Sequence, residues 1–267
     1  MKLGVIGCGK MGTALIQGAI RAGVVASGDV YGCDPYYKSR ENFAAVTGAH
    51  VSADIAEIAS ASDVLLLCTK PNDVAAALAT VAEKSSGQPK LVISIAAGVT
   101  LAALESAAPE NFRVIRTMPN TPALVGHGAA GYCLGSRATG ADAKTAESLL
   151  GAVGLAVQVP ERLMDAVTGL SGSGPAYIYM VIDALADGGV RAGIPRADAV
   201  RLAAQTVIGA ASMVLETGEH PAVLKDMVTS PGGTTIAGVA ALEKHGLRNA
   251  LIEAVTAATL RATELGK

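Results

Sequence analysis

The run Gly7-Cys8-Gly9-Lys10-Met11-Gly12 lies directly behind the apolar stretch Leu3–Ile6 and opens the helical pattern Met11–Arg21. That is a G-x-G-x-x-G in strand–turn–helix context. The first glycine permits the tight turn, the second lets the backbone approach a pyrophosphate, and the third lets the helix pack close to the strand. Free N–H groups and the positive dipole end of the helix suit the phosphates. The motif constrains this end of the chain to a parallel α/β sheet with a dinucleotide site at its edge.

The following pattern agrees. Val30–Gly32, Asp63–Cys68, Lys90–Ile95 and Arg113–Arg116 read as strands, and Val74–Lys84 and Leu101–Ala107 as helices between them. Asp63–Cys68 is continuously apolar, as a strand covered on both faces requires. Near residue 160 the strand signal stops. Ala176–Gly193, Asp198–Glu216, Val223–Val228, Ile236–Lys244 and Leu247–Leu265 all read as helices, with glycine and proline at their ends. The expected fold is α/β: a Rossmann-type domain over residues 1–160, then an all-helical domain over 161–267. The late helices are apolar and small around most of their circumference, and such helices must be buried on several sides. A subunit interface is expected there, ahead of a self-contained bundle.

Composition limits the partners. About half of the 267 residues are hydrophobic (51%), with no Trp and only 2 Phe. Small aliphatic side chains favour close helix–sheet packing. The net charge is −2 and the basic residues are scattered, so neither nucleic acid nor an anionic membrane surface is an expected partner. No transmembrane span and no leader segment are expected, and the protein is expected to be cytoplasmic. Cys8, Cys33, Cys68 and Cys133 show no metal-ligand spacing. Reduced thiols and no metal are expected.

Asp34, followed by Pro35, stands near the position where an acid receives the adenosine ribose, which favours NAD. Lys38 and Arg40 follow and could neutralise a 2′-phosphate, so NAD(H) and NADP(H) both stay open. Asp34-Pro35 also reads as a turn. Two loops fall where strands end. Thr69, Lys70 and Pro71 form one, and Ser94, Ala96 and Ala97 line the other. Ligands bind at such carboxyl ends.

Two clusters remain: Gly169-Leu170-Ser171-Gly172-Ser173-Gly174-Pro175 and Ser230-Pro231-Gly232-Gly233-Thr234-Thr235. Both read as helix approaches rich in N–H groups and hydroxyls, suited to a carboxylate. With these clusters, the glycine loop, Val92–Val99, Arg116–Pro122 and Glu219-His220-Pro221, the chain resembles the pyrroline-5-carboxylate reductases along essentially its whole length. The resemblance implies reduction of 1-pyrroline-5-carboxylate to L-proline by NAD(P)H. It also implies a homodimer, with rings of dimers up to a decamer. It assigns Ser230, Gly233 and Thr234 to the substrate carboxylate and Thr235 to the ring nitrogen. Glu161 matches an acidic position near the iminium, and Asn120 and Lys70 are candidates near the nicotinamide.

Two other readings compete. A β-hydroxyacid dehydrogenase needs a lysine in G-x-x-G-x-G-x-x-x-K. Here Gly169, Gly172 and Gly174 are present, but the lysine position holds Ile178, which removes the proton shuttle. A non-catalytic NAD(P)-binding regulator would show a damaged second cluster, and Ser230–Thr235 is intact.

Overall fold

The computed structural model describes residues 1–85 and 87–266. In chain order its elements are β1 (Leu3–Ile6), α1 (Lys10–Arg21), β2 (Val30–Cys33), α2 (Tyr37–Thr47), β3 (His50–Ser52), α3 (Ile55–Ala61), β4 (Val64–Leu67), α4 (Val74–Lys84), β5 (Leu91–Ser94), α5 (Leu101–Ala107), β6 (Arg113–Met118), β7 (Gly128–Leu134), α6 (Gly140–Gly151), β8 (Gly154–Gln158), α7 (Met164–Val167), α8 (Gly174–Arg191), α9 (Arg196–Thr217), α10 (Pro221–Met227), α11 (Thr234–Lys244) and α12 (Leu247–Leu265). Contacts divide the chain into two compact units: residues 1–173 with 257–267, and residues 174–256.

The first unit is built on one sheet in the order β3-β2-β1-β4-β5-β6-β7-β8. All neighbours are parallel except β6 and β7. The central strands are apolar on both faces because alternate side chains enter two different cores. Leu3, Val5, Val64, Leu66, Leu91 and Ile93 lie in one cluster, while Ile6, Leu65, Leu67 and Val92 lie in the other. Burying each such side chain contributes about 1.5–3 kcal/mol. The second cluster also takes in Met164, which is fully enclosed. The compact unit therefore runs past Pro160 to Ser173.

In this unit the alternation expected from the sequence continues through elements the sequence reading did not name: α2, β3, α3, β7, α6 and β8. β7 runs Gly-Ala-Ala-Gly-Tyr-Cys-Leu, a composition poor in the β-branched residues that mark strands. Thr139 accepts from the Asp142 N–H at 3.3 Å, and Asp142 accepts from the Thr139 N–H at 2.8 Å, a reciprocal cap. Arg113 donates to the same carboxylate at 2.9 Å. Burial alone would raise the pKa of Asp142, but the Arg113 and Thr139 hydrogen bonds outweigh it and hold the group below the usual carboxylate range.

The second unit is helical, as expected. Its buried hydrophobic core is three alanines, Ala186, Ala199 and Ala203, which join α8 to α9. Larger apolar side chains of the same helices point outward: Met180, Ile208 and Leu215 among them. α9 is also the one helix among the described residues long and apolar enough, by length and composition, to cross a membrane.

Candidate functional site

In a parallel sheet all carboxyl ends lie on one edge. Here β1 is flanked by β2 and β4, so the chain reverses direction across β1, which is where ligands bind in open α/β sheets. The loops after β1, β2, β4 and β5 therefore fall side by side, and with them Gly7–Gly12, Asp34-Pro35, Thr69-Lys70-Pro71 and Ser94–Ala97.

The three glycines differ in what surrounds them. Gly7 has φ +104°, and a side chain there would meet the Cys68 carbonyl oxygen at 2.6 Å. A Cβ on Gly12 would meet the Gly7 carbonyl oxygen at 2.6 Å and Cys68 Sγ at 3.3 Å. A Cβ on Gly9 would meet nothing within 4 Å. Gly7 and Gly12 are thus required by the fold itself, whereas the space over Gly9 is open to a ligand. Gly9 is also the N-cap of α1. No side chain caps that helix, and its first turn holds no acid. Its leading amides (Lys10, Met11, Gly12) have no intrahelical acceptor and are available to an anion. At the end of β4 the Thr69 hydroxyl is buried without a hydrogen-bond partner, a donor awaiting an acceptor. Open space, free amides and an orphaned hydroxyl on one edge fit a dinucleotide.

Around this loop the thiols are inert. Burial first, and the Asp34 carboxylate second, push Cys8 up to about 12 and Cys33 up to about 11. Cys68 is likewise raised by burial and then by Cys8. None presents a thiolate near neutral pH. No group of metal-ligating side chains occurs among the described residues.

Other expected residues are held by protein partners. Ser94 is buried at the end of β5; its hydroxyl accepts from the Ala96 N–H at 3.3 Å, and its carbonyl accepts from Thr117 Oγ1 at 3.0 Å. The Ala96 side chain sits in the core, while Ala97 is exposed. Lys70 and Pro71 are exposed on the loop. Asn120, expected near the nicotinamide, has both ends of its amide engaged: Nδ2 donates to the Ser171 carbonyl and Oδ1 accepts from the Ala129 N–H, each at 2.9 Å. Glu161, expected beside the iminium, accepts from the Leu101 N–H at 2.6 Å and from Arg116 at 3.2 Å. It closes the N-terminus of α5 and pairs with a buried guanidinium. Arg116 also reaches Asp165 at 3.4 Å, and Thr263 donates to that carboxylate at 2.9 Å. The sequence reading missed this cluster; its signal was an arginine in the middle of a strand of the sheet.

The cluster at Gly169 departs from expectation. Thr168–Gly172 is not an open approach but one π-helical turn, closed by Ser173 N–H donating to the Thr168 carbonyl at 2.8 Å. Its amides are drawn into helical hydrogen bonding, so an anion site there loses its donors. π-turns are frequent at functional positions.

In the helical unit, the Ser230 cluster keeps the form expected of it. Gly233 is the N-cap of α11, again with no side-chain cap and no acid in the first turn. Its N–H donates to the Ser230 carbonyl at 3.1 Å, and an added Cβ would collide with the Ser230 hydroxyl. Ser230 and Thr234 are exposed and Thr235 is half-buried. Ser230, Thr234 and Thr235 thus bring three hydroxyl side chains to another uncapped helix start.

Two families of known proteins match the chain. A family described as pyrroline-5-carboxylate reductase dimerisation matches residues 161–265, and one described as NADP oxidoreductase, coenzyme F420-dependent, matches residues 2–98. The pyrroline-5-carboxylate reductase of Methanosarcina acetivorans is 52% identical over 100% of this chain and 98% of its own length. A pyrroline-5-carboxylate reductase structure from Coxiella burnetii superposes with TM-score 0.94 at 35% identity, covering 100% of this chain and 98% of that one. The Plasmodium falciparum pyrroline carboxylate reductase, solved with NADP bound, gives TM-score 0.87 at 31% identity over 100% and 98% of the two chains.

Proposed function

The chain belongs to the pyrroline-5-carboxylate reductase family, and we propose from this that it reduces 1-pyrroline-5-carboxylate to L-proline with NAD(P)H, the last step of proline biosynthesis. The observation that carries the reading is the intact, uncapped start of α11 at Ser230–Thr235, in a chain similar to these reductases over its full length. A β-hydroxyacid dehydrogenase lacks its lysine here, and a pure regulator has no use for that second site.

The reaction adds a hydride to the ring carbon of a C=N bond and leaves a proton on the ring nitrogen. Gly9 and the amides of Lys10, Met11 and Gly12 would hold the pyrophosphate of a dinucleotide, whose chemistry when bound is hydride donation. Cys8, Asp34 and Pro35 border the adenosine side; Thr69, Lys70, Pro71, Ser94, Ala96 and Ala97 border the other. Ser230, Gly233 and Thr234 bind the substrate carboxylate through hydroxyl and N–H groups. Thr235 is the catalytic residue, hydrogen-bonding the ring nitrogen. A protonated imine is already electrophilic, so orientation supplies most of the acceleration. Glu161 and Asn120 act as positioning residues, holding α5, the π-turn and the start of β7 through the bonds described above.

Residues 1–160 carry the cofactor function and 161–267 the substrate and dimerisation functions. The dimerisation region makes oligomerisation part of the family's plan; a homodimer, and a decamer built from dimers, are the assemblies proposed for this chain. All four cysteines are free, which supports a reducing, cytoplasmic location.

The test is the loss of reduced-cofactor absorbance with purified protein and 1-pyrroline-5-carboxylate. Imine-dependent oxidation of NADH or NADPH is expected. A folded, dinucleotide-binding protein that oxidises neither sinks the reading.

A further inference from the structure

The loop of residues 95–100 joins β5 to α5 on the carboxyl edge of the sheet. It is held at three points, all within the first unit. At its start the Ser94 carbonyl accepts from Thr117 Oγ1 at 3.0 Å. At its end the Leu101 N–H donates to Glu161 Oε1 at 2.6 Å. In its middle stands Gly98, with φ +78°. There the last turn of α12 comes up against it. A Cβ on Gly98 would lie 3.7 Å from the Leu265 carbonyl oxygen, and a Cβ on Gly266 would lie 3.3 Å from the Gly98 carbonyl oxygen. Ala262, one turn earlier, is buried, so this turn is seated in the unit and not loose upon it.

Two of these holds lead to one side chain. Arg116 lies in the middle of β6 with its side chain only 7% exposed. Its terminal nitrogens serve different acids: Nη1 donates to Glu161 Oε1 at 3.2 Å and Nη2 to Asp165 Oδ1 at 3.4 Å. A planar guanidinium can hold two carboxylates at a fixed spacing, which a lysine cannot. Glu161 is the acid that takes the Leu101 N–H. The other oxygen of Asp165 takes the Thr263 hydroxyl, in the last turn of α12, at 2.9 Å. Thr263 Oγ1 also lies 3.2 Å from the Thr259 carbonyl. A hydroxyl has one proton, and the shorter, charged acceptor draws it. From Arg116 the network thus branches to the start of α5 and to the last turn of α12, and both branches meet on the loop of residues 95–100.

We propose that Arg116 is a positioning residue of the cofactor site: through Glu161 and Asp165 it clamps the loop of residues 95–100 between α5 and the last turn of α12, and holds it in the shape that takes the dinucleotide. The proposal rests on the reading of this edge as the dinucleotide site. It gives the last turn of α12, which falls in the region matched by the dimerisation family, a task of its own. Cutting either branch loosens the loop and costs cofactor affinity, while the residues proposed for the imine are left untouched.

Thr263 is the outermost member of the network and is exposed, so the clamp can be cut there without unfolding the protein. Thr263→Val keeps the shape and removes the hydroxyl. Calorimetric titration of the full-length variant with NAD+ and with NADP+ is expected to show ~3-fold weaker binding of whichever dinucleotide the wild type takes. In turnover, the KM for the reduced dinucleotide is expected to rise by the same factor, with kcat and the KM for 1-pyrroline-5-carboxylate unchanged. Thr263→Ser restores the hydroxyl and is expected to restore binding. Asp165→Asn takes one acid from the buried guanidinium and is expected to weaken binding ~10-fold. Adding Thr263→Val to it is expected to cost nothing more, since both act through the same branch. Unchanged dinucleotide affinity in Thr263→Val and Asp165→Asn, with only a lower melting temperature, overturns the proposal and leaves Arg116 a structural ion pair. So does a rise in the KM for the imine with dinucleotide affinity intact. If the variants do not fold, hydrogen exchange on the wild type decides, because coupling between sites is reciprocal. A dinucleotide that slows exchange in residues 257–266 sustains the proposal, and one that protects Gly7–Gly12 but not that turn overturns it. Turnover is read separately. Binding that responds to Thr263→Val in a protein that reduces no imine defeats the reductase reading alone; imine turnover with binding indifferent to these variants defeats this proposal alone.

Discussion

The two units solve the burial problem in opposite ways. The first closes two cores on either face of its sheet, with leucines, isoleucines and valines of β1, β4 and β5 fully enclosed. The second encloses three alanines and turns Ile208, 56% exposed, and Leu215, 74% exposed, to the outside. A chain that meets its apolar needs internally can stand alone; one that leaves large side chains uncovered is built to be covered. Helix starts differ as well. α3, α5, α6 and α10 are capped by Asp54, Thr100, Thr139 and His220. α2, α4, α7 and α9 begin without a side-chain cap at Tyr36, Asp73, Leu163 and Pro195. α1 and α11, at the two candidate sites, are set apart by a glycine N-cap.

The largest effect is expected where the second unit is uncovered. Ile208→Asp with Leu215→Asp places two charges seven residues apart on one face of α9. The protein is expected to run as a monomer in light scattering and to lose turnover by at least ~100-fold. A dimer that survives breaks the comparison. Next come the glycines. Gly9→Val is expected to abolish dinucleotide binding while shifting stability by less than ~0.5 kcal/mol, since nothing lies within 4 Å of its Cβ. Gly12→Ala is expected to cost about 1–3 kcal/mol, since its Cβ meets the Gly7 carbonyl oxygen. Melting curves and cofactor titrations on the pair separate ligand space from packing space. Thr235→Ala is expected to lower turnover ~10–100-fold with dinucleotide affinity unchanged; a matching loss of cofactor affinity would remove it from the substrate site. The smallest effect tests a capped end. Asp142→Asn is expected to cost about 1–2 kcal/mol. The folded group titrates below its unfolded value, so its contribution is present above the ordinary carboxylate range and fades as pH falls through the lowered value. Acid unfolding curves of wild type and variant should therefore converge at low pH.

Local chemistry made much of this legible. Leu3–Ile6 and Leu247–Leu265 were read with the bounds the structure has, because long or central elements carry strong apolar periodicity. The glycine loop and the Ser230 cluster were legible because backbone space and free amides demand glycine, serine and threonine at set spacing. β7 and β8 were not, since Gly- and Ala-rich strands are ordered by the neighbours they pair with. The π-turn at Thr168–Gly172 was masked for a related reason: a glycine- and serine-rich run reads as a loop until its neighbours wind it into a helix.

From residues alone came the α/β-then-helical order, the dinucleotide edge and the resemblance that assigns the reaction, all of which rest on short-range pattern. Only the tertiary structure decided that Asn120 and Glu161 spend their polar groups on the protein, that Arg116 gathers Glu161 and Asp165, and that Asp34 is locked by two amides. Those are hydrogen bonds between residues far apart in the chain, or choices among several local partners. A side chain's type says what it can bind; only the packed neighbours determine what it does bind.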